Sequence, residues 1–331
     1  MMMYLFFAVL MLSCVYAQAQ TITETFGSGA NQFQIEFVTI GTPGNEADTG
    51  TYSGNFNSAG QSYSAGGVSY IFNLGKHEVS REMIDKANSA SGLGIGMHDM
   101  SSLGGNGADK PASGISWNEA AKFVNYLNTS RGKQAAYSFD ANGNFQIWGS
   151  GQYRGDNRFR HIDAYYFLPS VDEWYKAAYG NPNGEWRAYA TENGLAPTAT
   201  SGGTLANTAV YGQTSSAGPS KIMEAGGLSG WGTVGQGGNL FEWMETAKDG
   251  ANDSPGEWRE IRGGAWTFEG QASTGVSVLS KTFRTDSQPD DPNYNYLNTG
   301  FRIAMVPEPS SLSLLLAGGA VLAAAKRRRL V

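Results

Sequence analysis

The chain has 331 residues, with 29 acidic against 23 basic side chains, a formal charge of −6 and only 16% charged residues. Leaving out the terminal Lys326, Arg327, Arg328 and Arg329 sets 19 basic against 29 acidic residues, −10 in formal charge, which argues against a nucleic-acid partner. The 45 glycines and 12% aromatic residues predict a fold held by aromatic burial and tight turns.

Residues 1–19 carry no charged side chain, are apolar from Tyr4 to Leu12 and end in Ala17-Gln18-Ala19, which reads as a signal peptide cut before Gln20. Cys14, the sole cysteine, lies inside it, and Met11-Leu12-Ser13 is a poor lipobox. The mature chain then has no thiol for a disulfide or a cysteine metal site.

Residues 20–64 read as a β-rich N-terminal part, with Phe33, Ile35 and Phe37 alternating at strand period, and Tyr70 to Phe72 as a second strand. Ser80 opens a short helix to about Ala87. Ser116-Trp117-Asn118-Glu119 is a capping box opening a helix to about Leu127, and Ser170-Val171-Asp172-Glu173 opens another to about Tyr179. Between them, Tyr137 to Phe139 and Phe145 to Trp148 flank the turn at Asp140 to Asn144 as a hairpin. Residues 181–235 are Gly, Ser, Thr, Asn and Ala with scattered aromatics. So long a segment without regular structure needs bound ions or the aromatic core, with Trp243 and Trp266 foremost, to order it.

The C-terminal residues 305–331 combine Pro307-Glu308-Pro309, an apolar run over 311–325 and Arg327, Arg328 and Arg329. The run is shorter than the roughly 20 residues of a comfortable membrane helix, and the basic cluster fixes its cytoplasmic end. This pattern resembles the PEP-CTERM sorting signal. The resemblance implies an exosortase-type processing partner, transient membrane association and delivery to the cell surface or extracellular matrix; an ordinary membrane anchor is the alternative.

Six short pieces follow one another over 65–304: Lys76 to Ser80, Pro111 to Ala120, Leu168 to Trp174, Gly238 to Trp243, Arg262 to Trp266, and Gly300 to Arg302. Together they resemble the sulfatase-modifying-factor family, which includes the formylglycine-generating enzymes. The resemblance implies one α+β domain of C-type lectin-like fold with little regular secondary structure. Trp117, Trp174, Trp243 and Trp266 read as core anchors. Arg262 and Arg302 read as buried structural cations, satisfying carbonyls or pairing with Glu242 or Glu173.

In the resembling oxidases a cysteine pair binds copper, since soft thiolates select Cu(I). The corresponding positions here are Phe268 and Ser273, so no copper chemistry is expected. The resemblance also implies calcium at Gly238, Leu240 and Glu242, where Gly235 lacks the usual side-chain ligand, and a second site at Asn207 and Thr208. His77, His98 and His161 show no metal-ligand spacing. Gln288-Pro289-Asp290 matches a lectin tripeptide, but reads more naturally as a polar turn.

The resulting expectation is an exported surface or matrix protein whose domain is a non-catalytic binding or structural module for a glycan or another surface protein. Exposed aromatics such as Trp186 and Tyr189 would rim its groove. The alternative is an enzyme of the same fold with altered chemistry, and last a true formylglycine-generating oxidase.

Overall fold

A computed structural model describes residues 21–52, 60–267, 278–283, 285–287 and 297–307. The signal-peptide reading of 1–19, Phe268, Ser273, the Gln288 tripeptide, Glu308, Pro309, the 311–325 run and the terminal arginines lie outside them. No helix among the described residues is long and apolar enough to cross a membrane.

Two sheets carry the domain. In the first, β1 (Thr21–Phe26), β2 (Phe33–Ile40), β3 (Phe72–Gly75), β4 (Tyr166–Phe167) and β9 (Ala304–Met305) lie in the order β1-β2-β3-β9-β4, all antiparallel. Phe33, Ile35 and Phe37 of β2 are buried while Gln34 is exposed, the expected alternation of a half-buried strand. In the second, β5 (Phe241–Ala247), β6 (Arg259–Arg262), β7 (Thr285–Ser287) and β8 (Thr299–Gly300) lie in the order β7-β6-β5-β8. β5 runs antiparallel to β6, with Glu242 opposite Arg262, and parallel to β8, with Glu242 opposite Gly300. Phe301, Arg302 and Ile303 therefore carry the chain from one sheet to the other.

Three helices pack around the sheets, and each starts as its sequence dictates. α1 (Arg81–Ser91), α2 (Trp117–Thr129) and α3 (Val171–Tyr179) begin at Ser80, Ser116 and Ser170, whose side chains accept the backbone N–H three residues on. Glu119 and Glu173 return the bond to the cap N–H of Ser116 and Ser170, whereas Met83 answers Ser80 through sulfur at 3.5 Å. α1 runs past Ala87 because its stop signal is Gly92, which takes φ +61°.

The four tryptophans are each 0–1% exposed, and every indole N–H finds an acceptor. Trp117 donates to the Met244 carbonyl at 2.9 Å, Trp243 to Ile115 at 2.7 Å, Trp174 to Glu242 Oε2 at 2.7 Å and Trp266 to Ser215 at 3.4 Å. The 138–146 hairpin forms, its turn fixed by Asp140 Oδ1 accepting from Asn142 and Asn144 N–H. β3 begins at Phe72 rather than Tyr70, whose hydroxyl is drawn to Glu173 Oε1 at 2.6 Å.

Residues 181–235 hold only a short parallel pair, Thr198–Thr200 with Thr208–Val210, and two 3-10 turns. Backbone bonds such as Gly203 N–H to Glu224, Gly226 to Gly203 and Val234 to Lys76 order them, together with side chains that bond to backbone. Asn181 Oδ1 accepts from Asn183 and Glu185, Asn239 Oδ1 from Ser220, and Gln236 donates to the Trp174 carbonyl. Trp266 does reach this segment at Ser215, but Trp243 points to Ile115 at the start of α2.

Trp243→Ala should lower unfolding stability by about 3–5 kcal/mol, the range for emptying a buried indole site, measured by urea denaturation. A loss under 1 kcal/mol would show that Trp243 is not a core anchor.

Candidate functional site

At the meeting of the two sheets, Arg302 and Glu242 form an ion pair with both side chains fully buried, 2.5 Å from Nη2 to Oε1. Arg302 Nε donates to Glu242 Oε2, and its remaining donors reach the carbonyls of Gly75, Lys76 and Val234. Trp174 Nε1 also donates to Glu242 Oε2. Beside this pair, buried Glu78 accepts from Asn239 Nδ2 and from Leu240 N–H. Burial and the nearby Glu242 carboxylate push the Glu78 carboxyl up to about 8. Arg262 pairs with neither Glu242 nor Glu173. Its partner is Glu260 at 2.6 Å, two residues back on the same face of β6, with Tyr52 and the Phe283 carbonyl completing its donors.

The calcium set fits this arrangement poorly. Both Glu242 oxygens already accept from Arg302 or Trp174, and a cation there would sit against the guanidinium. Gly235 offers no side chain, and a Cβ at that position would lie 3.4 Å from Glu78 Oε2. Gly238 and Leu240 contribute only backbone, and Leu240 N–H is bound to Glu78. At the second set, Asn207 and the carbonyl of Thr208, Asn207 Oδ1 accepts from Asn193 N–H and the Thr208 carbonyl from Gly227 N–H. Among the described residues no group of three or more His, Cys, Asp or Glu is arranged to hold a metal. For copper the misfit lies in the sequence: no cysteine follows Cys14, so soft ligands are lacking.

Gly263 and Gly264 take φ +104° and +79°, and a Cβ at Gly264 would approach Leu279 Cδ2 to 2.5 Å. The pair is glycine because the backbone must pass close here. Trp186 is half-buried against Tyr175, at the edge of a recess of about 10 Å³ that has room for little more than one water. Tyr189 is also half-buried, so neither forms the exposed aromatic rim expected from sequence.

A cavity of about 730 Å³ opens elsewhere, beside the root of the C-terminal tail. Its walls come from Pro43, from residues 69–71, from the segment between Arg154 and Ser170, and from Val306 and Pro307. Arg160 forms its floor, stacked 3.6 Å over Phe167 and held from behind by Glu173 and Glu245. His161, remote from the other histidines in sequence, stands at this wall against Trp148. No local motif announces the cavity, because segments far apart in the chain build it.

The model of the sulfatase-modifying factor enzyme 1-like domain matches residues 55–306. The chain belongs to that family. The PEP-CTERM protein-sorting motif matches residues 306–329, which implies exosortase-type processing and export with membrane-anchored sorting to the surface. Among solved structures, variable protein 1 of Treponema denticola is similar at 20% identity, over 86% of this chain and 99% of that one, with a TM-score of 0.55. CarF is similar at 19% identity, over 83% and 99%, with a TM-score of 0.52. At these identities the likeness is one of fold. No curated protein matches the chain. The fold is thus the α+β, formylglycine-generating-enzyme-like and C-type lectin-like one, with few helices, in a single domain.

Two outcomes follow from the buried cluster. Arg302→Met should cost about 3–5 kcal/mol, the range for stranding one member of a buried ion pair, whereas EDTA should leave the melting temperature within about 2 °C. A large drop with EDTA, restored by calcium, would show that Glu242 is a ligand instead. Glu78 titrates higher folded than its unfolded value of 4.5, so its contribution is complete below pH 4.5 and is lost as pH rises towards about 8. Glu78→Gln should flatten the stability profile over that window, read by chemical denaturation at several pH values; an unchanged slope would rule out Glu78 as its source.

Proposed function

We propose that the domain acts at the cell surface or in the extracellular matrix as a non-catalytic binding or structural module. Residues 1–19 serve as its export signal, and the PEP-CTERM segment as its sorting signal. The observation that carries the reading is the absence of any cysteine after Cys14 in a domain whose family chemistry, as oxidases, depends on a copper-binding cysteine pair. The buried carboxylates support it. Glu242, Glu260, Glu173 and Glu245 are each engaged by an arginine, which suits structural roles. The ligand class is a glycan or another surface protein.

An enzyme of the same fold has one observation in its favour, since burial pushes the Glu245 carboxyl up despite the adjoining Arg160. Both Glu245 oxygens are nevertheless held by that guanidinium, which leaves neither free to take a proton from a substrate.

Supplied with copper, oxygen and a sulfatase-type cysteine peptide, the protein should yield no aldehyde by mass spectrometry. Aldehyde above a protein-free control would overturn the reading. Replacing Pro307, Glu308 and Pro309 with Ala should leave unprocessed protein in the membrane fraction, because prolines present the hinge as an extended strand to a processing enzyme. Normal surface delivery of that variant would remove the sorting assignment.

A further inference from the structure

The cavity beside the tail root has the size of a small-molecule site, about 730 Å³ against the roughly 300–1,000 Å³ usual for such sites. Ile71, Ile162, Phe167, Val306 and two prolines make most of its wall apolar. Tyr70 is 42% exposed there, and its hydroxyl bond to Glu173 fixes the ring. Among the described residues the charged groups on the wall are cationic and no Asp or Glu lines it, although the chain carries 29 acidic residues against 23 basic ones. Arg154 lines it from an exposed position, and its guanidinium makes no hydrogen bond or ion pair with any described residue. His161 accepts the Asp163 N–H through Nδ1 at 3.1 Å, with the Asp163 carboxylate 3.9 Å from that same nitrogen, so Nε2 is the nitrogen left to donate.

We propose that this cavity binds a carboxylate carried on a ring or chain with an apolar face. Arg154 and His161 take the carboxylate, while Tyr70, Ile71 and Ile162 take the apolar face. A guanidinium is suited to the first task because it meets a carboxylate with two parallel N–H bonds. Two sources carry such a group: a uronic acid unit of a polysaccharide, and a free aromatic or aliphatic acid. The proposal deepens the binding-module reading, and the two fail separately, since the cysteine-peptide assay does not involve the cavity.

The test is isothermal titration of the full chain in detergent micelles with a tetragalacturonate, a neutral hexose tetrasaccharide and phenylacetate. At least one of the two acids should bind and the neutral sugar should not; which acid binds identifies the source. Arg154→Ala should weaken binding on the order of ten-fold or more, the usual effect of losing a charged hydrogen bond. Lys221→Ala removes the same charge at a distant, half-exposed surface pair with Asp109 and should leave affinity unchanged. Melting curves of both variants should match the parent, because neither side chain is buried. Absence of binding by both acids, equal binding of the neutral sugar, or equal weakening by the two substitutions would overturn the proposal.

Discussion

The fold depends on one guanidinium. Arg302 lies on the three-residue bridge between β8 of one sheet and β9 of the other, and it is fully buried. A buried Arg is tolerable only when its charge is paired and its donors are satisfied. Here Glu242 supplies the charge, and the carbonyls of Gly75, Lys76 and Val234 take the remaining donors. Those groups belong to β5, to the end of β3 and to the loop-rich half of the domain, while Trp174 brings α3 to the same carboxylate. Such a pair contributes little net stability over an apolar isostere. What it does supply is a unique arrangement, since any slip of β8 along β5 would strand one of the two charges.

Much of this was legible in sequence because its signals are local. Capping boxes placed the starts of α2 and α3, and period-2 alternation placed β2. The indoles of Trp117, Trp174, Trp243 and Trp266 were readable as core because such large apolar groups have few other places to go. The errors were physical in kind. Tyr70 has strand-forming chemistry, but a buried carboxylate on α3 captured its hydroxyl, so the strand starts two residues later. Arg262 reads from sequence as a buried cation satisfying carbonyls or pairing with Glu242 or Glu173; it does reach the Phe283 carbonyl, but its acid is Glu260, because residues two apart on a strand share a face.

The candidate site was nearly illegible. Pro43, Tyr70, Arg154, His161 and Pro307 have no sequence relation, and only the pairing of β9 with β3 and β4 brings their segments together. His161 looked solitary in sequence; its place at the cavity wall follows from the short hairpin of Tyr153–Arg154 with Asn157–His161. The long loop was legible as a problem rather than as a solution. Its backbone groups are satisfied by irregular backbone bonds and by Asn, Gln and Ser side chains, and such bonds leave no periodic trace in a sequence.

The position of the sorting hinge follows from the same topology. β9 is not an edge strand: it lies between β3 and β4, and Val306 N–H then bonds to the Tyr165 carbonyl. Only one residue separates the end of that internal strand at Met305 from Pro307, the first proline of the hinge. Pro307 has φ fixed by its ring and has no N–H to offer, so the ladder cannot continue through it, and it stands at the cavity wall. The matched sorting motif begins at Val306, where that internal strand ends, and Val306 and Pro307 line the cavity. Unfolding of the first sheet would release β9 and with it these first two residues of the motif.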